Sequence, residues 1–249
     1  MKISFIGHGN MAKAMITGII KSKLISKTDI YISDCDKNNQ AAVDFADYIF
    51  LTVKPNIYKH VVSNLVWTKN KVFITVAPGI KTTFIDAKVI RTMPNTPALV
   101  GEGVTSVCRG KDITNQEFNF VKKLLATFSV VYEFEESLMD YTIALSGSSP
   151  AYLYMFIEAM ANYGKKHGIN YETAKNMAAQ TLLGSAKMIL ASEDTPETLC
   201  AKVCTKGGAT IKAVETFRNL DFEATIIQAM EACCSRAFEM ADEFDKEMS

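Results

Sequence analysis

Two glycine-bearing stretches hold the residues whose types and spacing could do chemistry. In FIGHGNMA (5–12), Gly7, Gly9 and Ala12 have G-x-G-x-x-A spacing, after a short apolar run and before a helical pattern. In that context Gly7 permits a tight turn, Gly9 lets a pyrophosphate approach the backbone, and Ala12 lets the helix pack close to a sheet. The helix N-terminus adds N–H groups and positive potential, which is a binding site for the phosphates of a dinucleotide. Ile6, Gly7, His8, Gly9, Asn10 and Met11 are the contacts expected there. His8 reads as a spacer rather than a base, because it lies beside phosphates and not beside a reacting carbon. The second stretch, CTKGGATIKAVE (204–215), sets two glycines and two threonines before another helix. Its loop holds no acid, and Lys206 lies between the hydroxyls. Read from residues alone, this is an anion-holding loop or an ordinary helix cap by Thr205 or Thr210.

The strands must bring further residues to the same edge. Asp34 follows the second strand, where an acid accepts from the ribose 2′-hydroxyl of NAD and repels a 2′-phosphate. It argues for NADH over NADPH, and nearby Lys37 argues the other way. TVKPN (52–56), VFITVA (72–77) and TMPNTP (92–97) end parallel strands, where ligands of such sheets bind. They supply Thr52, Val53, Lys54, Pro55, Ala77 and Asn95 as the remaining expected cofactor contacts.

The elements that position these residues follow from periodicity. KISFI, DIYIS, YIFLTV, VFITVA and KVIRTM are apolar runs of strand length separated by helix-like stretches, which predicts a parallel sheet covered on both faces. VTSVCRG and VVYEFE add strands around a helix at 115–127. From Leu138 long helical patterns take over, at 151–166, 171–191, 196–203, 211–219 and 222–246, with Thr195 and Pro196 as a clean helix start. The expected architecture is an α/β Rossmann-like domain over 1–136, then an all-α dimerisation domain over 137–249. The apolar stripes of the second half read as core or subunit interface.

Composition narrows the class. The chain has 249 residues with 27 basic and 27 acidic, so no basic excess points to nucleic acid. It has no apolar run of membrane-spanning length and no signal-peptide pattern at MKISFIG, so a cytoplasmic protein is expected. Six cysteines without framework spacing and three scattered histidines read as free thiols and no metal site.

FIGHGNMA, VKP, RTMPNTPALVGEGVT, LSGSSPAY, AAQTLLGSAKM and VCTKGGATIKAVE together resemble the pyrroline-5-carboxylate reductase family over nearly the whole chain. The resemblance implies NADPH or NADH as cofactor, pyrroline-5-carboxylate as substrate and L-proline as product. It also implies a homodimer interlocked through the helical domain and often assembled into decamers. It makes Gly207, Gly208 and Ala209 an anion nest for the substrate carboxylate. Thr210 matches the family threonine that meets the ring nitrogen, and Glu193 matches a position near the substrate loop, a candidate for proton supply. Lys206 departs from the usual proline and adds positive charge. Related imine or β-hydroxyacid reductases are the alternative, with Lys165, Lys166 or Lys187 as catalytic lysine. A nucleotide-binding paralogue without activity is another.

Two connections are shorter than the family pattern. Residues 34–47 replace a helix, a strand and a second helix, and KTTFIDA replaces a crossover helix. Residues missing from the chain are the expected explanation, to be seen as an intact mass above 27.5 kDa.

Overall fold

The computed structural model describes residues 1–248; the side chains of residues 55, 56, 247 and 248 lie outside the described set. The chain divides into two compact units, Met1–Pro150 with Glu231–Ser249, and Ala151–Met230.

The first unit is built on a seven-stranded sheet of order β2-β1-β3-β4-β5-β6-β7. The strands are β1 (Ile3–Ile6), β2 (Ile30–Ser33), β3 (Tyr48–Leu51), β4 (Val72–Thr75), β5 (Lys88–Pro94), β6 (Gly103–Arg109) and β7 (Ser129–Glu133). Every side chain of β1, β3 and β4 is buried, as two-sided cover requires. On one face Phe5, Phe50, Ile74 and Ile90 pack under α1 (Asn10–Ser22) and α4 (Asn115–Leu125). On the other, Ile6, Leu51 and Phe73 pack under α2 (Asn39–Phe45) and α3 (Pro55–Ser63). Thr114 and Glu117 form a reciprocal capping box that starts α4.

Strands β2, β1, β3, β4 and β5 run parallel, and β6 pairs antiparallel with β5. The reversal has a local cause. A 3-10 turn at Thr96–Val100 and Gly101 at φ 81 fold the chain straight back into β6, leaving no room for a crossover.

Both short connections close as they stand. The β2–β3 crossover uses a 3-10 turn (Asp36–Asn38) and the two-turn α2. The β4–β5 connection has no helix, and its place on the sheet is taken by the last helix, α10 (Phe222–Met248). Phe244 of α10 is 8% exposed and meets the Tyr58 and Phe84 rings edge-on at 5.8 and 6.4 Å. Gly79, at φ +73, lies so close to α10 that a Cβ would sit 2.9 Å from the Ala241 nitrogen. Lys81 pairs with Asp245 at 2.5 Å. This packing places residues 231–249 with the first unit, so the contacts do not divide the chain at 136. Residues 136–147 also pack there, as α5 (Glu136–Thr142) and a π-helical turn (Ile143–Gly147) that the sequence reading did not resolve.

The second unit is helical: most of α6 (Ser149–Lys166), then α7 (Tyr171–Ala191), α8 (Pro196–Val203), α9 (Ala209–Asn219) and the start of α10. Its buried apolar side chains are Ala161, Ala174 and Ala178, and at Gly164 a Cβ would lie 2.6 Å from that of Ala174. Large apolar groups face outward, among them Met155 at 73%, Tyr163 at 68% and Leu190 at 83% exposed. A unit with so little core of its own depends on apolar contacts made elsewhere.

Candidate functional site

The turn after β1 has the geometry its glycines imply. Gly7 sits at φ +100, and a Cβ there would lie 2.9 Å from three backbone atoms of Thr52 and Val53. The end of β3 therefore abuts the turn, and Thr52 fastens it. Its N–H donates to the Ile6 carbonyl at 2.8 Å, and its hydroxyl donates to the Gly7 carbonyl at 2.8 Å. The Gly7 N–H donates to the Ser33 carbonyl at 2.8 Å, so β1, β2 and β3 are joined at one point. Gly9 is the opposite case. It caps α1 without a side-chain hydrogen bond, and a Cβ there would meet nothing within 4 Å. The first N–H groups of α1 thus face open space where a phosphate fits. Ala12 is fully buried against the sheet.

From this turn a cleft of about 240 Å³ runs past Gly7, His8 and Gly9 to Asp34 on one side and Thr52, Val53 and Lys54 on the other. Asp34, His8, Asn10 and Lys54 are exposed, and Met11 is half-buried against the core. Lys54 is the N-cap of α3 and Pro55 its first residue; the Pro55 side chain lies outside the described set. Ile6 is fully buried and does not line the cleft. Ala77 and Asn95 stand past the ends of β4 and β5 and do not line this cleft. The Asn95 side chain is used within the fold: Nδ2 donates to the Ser146 carbonyl at 3.1 Å, and Oδ1 accepts from the Val104 N–H at 2.9 Å. It ties the strand-end loop to the π-helical turn.

In the second unit, the loop before α9 takes a geometry that only glycines allow. Gly207 sits at φ +73, and a Cβ on Gly208 would lie 2.4 Å from the Thr205 hydroxyl. Gly208 is the N-cap of α9, with no side-chain hydrogen bond to the helix, so neither Thr205 nor Thr210 is its cap. One correction concerns the nest: the Gly208 N–H already donates to the Thr205 carbonyl at 3.0 Å. The donors left to an anion are the N–H of Gly207 and those of Ala209 and Thr210, the first residues of the helix. Lys206 and Thr210 are exposed.

Glu193 is exposed in the turn between α7 and α8. Asp194 steadies this turn by accepting from the Ser192 hydroxyl at 3.1 Å and pairing with Lys202 at 2.5 Å. Thr195 caps α8 by accepting from the Thr198 N–H at 3.1 Å. Cys200 and Cys204 are neighbours; burial, then repulsion from Cys200, raises the Cys204 thiol pKa. The glycine turn and its cleft belong to the first unit, and the Glu193 turn and GGAT loop to the second.

The sequence reading missed Asp36, Asn39 and His60, which line or adjoin the cleft. Asp36 stands two residues past Asp34, a detectable signal, but its partner His60 is 24 residues away in the chain.

Residues 136–240 match the family model described as pyrroline-5-carboxylate reductase dimerisation. Residues 2–79 match the model described as NADP oxidoreductase coenzyme F420-dependent. The chain is 35% identical over 260 residues to pyrroline-5-carboxylate reductase of Escherichia coli (strain K12), covering 95% of this chain and 97% of that one. It is 36% identical over 262 residues to the Haemophilus influenzae reductase, covering 96% and 97%. Both alignments are longer than this chain, consistent with its shortened connections. Its structure is similar to that of Plasmodium falciparum pyrroline carboxylate reductase with NADP bound, at TM-score 0.88 and 30% identity over 97% of this chain and 98% of the other. The chain belongs to the pyrroline-5-carboxylate reductase family.

Proposed function

We propose that the chain reduces the C=N bond of L-1-pyrroline-5-carboxylate to give L-proline, the last step of proline biosynthesis, with NAD(P)H as hydride donor. The observation that carries the reading is the turn at Gly7 and Gly9, closed against β3 on one side and open to a phosphate on the other. When bound, the nicotinamide supplies the hydride. The chain's residues bind and orient. Gly9 and the N-terminus of α1 hold the pyrophosphate, Asp34 accepts from the adenosine ribose, Thr52, Val53 and Lys54 wall the cleft, and Pro55 follows them as the last expected contact of that loop. Ala77 and the backbone at Asn95 bound the nicotinamide end.

The substrate carboxylate rests on the N–H groups of Ala209 and Thr210, with Gly207 giving the loop its turn and Lys206 adding attraction. The Thr210 hydroxyl hydrogen-bonds the ring nitrogen and sets the imine carbon for hydride attack, where orientation supplies most of the acceleration. Glu193 relays the proton that this nitrogen gains. A lysine-based β-hydroxyacid mechanism leaves the GGAT loop without a role.

The exposed apolar surface of the helical unit is covered in a homodimer, and dimers assemble further into decamers in the cytoplasm. No helix among the described residues is long and apolar enough to cross a membrane. Adding pyrroline-5-carboxylate to protein with NADH or NADPH and following nicotinamide absorbance tests the reaction. Oxidation supports it, and cofactor binding without oxidation supports the inactive-paralogue reading instead.

A further inference from the structure

The cofactor cleft continues beyond Asp34. A second cavity of about 260 Å³ adjoins it, walled by Gln40, His60 and Asn64, and the two share Asp36, Asn39 and Val61. Asp36 stands between them with both carboxylate oxygens held. Oδ1 accepts from Asn39 Nδ2 at 3.4 Å, and Oδ2 accepts from His60 Nε2 at 3.1 Å. Asn39 is 7% exposed, and its own Oδ1 accepts from the Ser33 hydroxyl at 2.7 Å. The carboxylate is therefore anchored to the last residue of β2.

On the far side of the imidazole, Nδ1 faces Asn64 Nδ2 at 3.5 Å, and that same amide donates to the His60 carbonyl at 2.7 Å. An amide nitrogen only donates, which assigns Nδ1 as acceptor and Nε2 as the protonated nitrogen. Nε2–H thus donates to the Asp36 carboxylate. Asp34 is a second exposed carboxylate in the same cleft; the exposed Lys54 lines the cleft from the end of β3, and Lys37 is exposed nearby in sequence.

We infer that Asp36, held by His60, acts with Asp34 as the cofactor-specificity determinant, selecting a free adenosine 2′-hydroxyl over a 2′-phosphate. The inference rests on the NAD(P)H role proposed above and deepens it. A ribose diol donates hydrogen bonds to carboxylates, one of them, Asp36, held in place. A 2′-phosphate brings negative charge against two of them in a partly enclosed cleft, where repulsion is stronger than in water. The chain thereby parts from the Plasmodium falciparum relative, whose structure has NADP bound.

Fluorescence titrations of the full chain with NADH and with NADPH, alongside turnover with each, test this. NADH should bind about tenfold or more tighter than NADPH, the scale of one unit charge met at ~5 Å in a half-solvated site. Asp36→Asn removes the charge and His60→Arg compensates it, so each should raise the NADPH-to-NADH affinity ratio about tenfold. Both positions are exposed, so neither variant should disturb folding. A ratio unmoved by both substitutions, or lowered by either, overturns the inference. If the ratio shifts as expected while neither cofactor is oxidised, the proposed reaction fails and the specificity assignment stands. Oxidation with an unmoved ratio gives the converse.

Discussion

Gly7 and Gly9 lie two residues apart in one motif, yet a methyl group added to each should do different things. At Gly7 the backbone is at φ +100, and a Cβ would press at 2.9 Å on Thr52 and Val53 backbone atoms that have no rotamer to change. The left-handed conformation costs a non-glycine residue about 1–2 kcal/mol, and the overpacking costs about 1–3 kcal/mol more. Gly7→Ala should therefore lower stability by about 3 kcal/mol, a fall in melting temperature of about 6–12 °C for a chain of this size. At Gly9 φ is −77 and the Cβ would meet nothing within 4 Å. Gly9→Val should cost about 1 kcal/mol or less through the weaker N-cap. Its side chain would instead fill the space the pyrophosphate needs. Thermal melts of both variants without cofactor, followed by NADH and NADPH titrations, separate the two effects. Equal losses of stability, or normal cofactor affinity in Gly9→Val, would refute the division of labour read from the turn.

Thr210→Ala should reduce turnover by about ten- to a hundredfold, one hydrogen bond to the reacting group, with cofactor affinity retained; steady-state kinetics with a cofactor titration check it. Arg91 is 2% exposed and pairs closely with Asp140, with Glu136 farther off at 3.6 Å, so Asp140→Ala should cost about 3 kcal/mol in chemical denaturation by leaving the buried guanidinium only that looser partner. Phe244→Ala should cost about 3–5 kcal/mol by emptying the place of the absent crossover helix, which denaturation likewise measures. Burial pushes the Glu117 carboxyl up, but hydrogen bonds from Lys88 and Thr114 outweigh it and hold the pKa below the usual range. With the folded pKa depressed, the stabilisation is present above the unfolded value of about 4.3 and is lost as pH falls through the folded one. The difference in melting temperature between wild type and Glu117→Gln should therefore narrow from neutral pH toward acid.

The strands and most helices were legible because their signals are local. Two-sided apolar runs such as YIFL could only be central strands, and Thr195-Pro196 started α8 where the structure starts it. What escaped the sequence depends on contacts between distant residues. Nothing local in the C-terminal helix says that Phe244 fills the place of a missing crossover helix 160 residues earlier. The antiparallel turn of β6 was hidden because apolar strands do not declare direction, and α5 was too short for its period to show.

The cofactor turn was readable residue by residue, since glycine spacing reports backbone geometry directly. Side-chain partners were not: the Asn95 amide is engaged by Ser146 and Val104, which leaves its backbone as the proposed cofactor contact. The Gly208 N–H looked free for an anion, but the loop itself uses it. The Asp36–His60 pair joins residues 24 apart in the chain, which no local pattern reports.

The central claim is tested most directly by mixing the purified chain with pyrroline-5-carboxylate and, separately, NADH or NADPH, and following nicotinamide absorbance. The account predicts oxidation with formation of L-proline, faster with NADH at equal cofactor concentration. Folded protein that binds the cofactors and oxidises neither would contradict it.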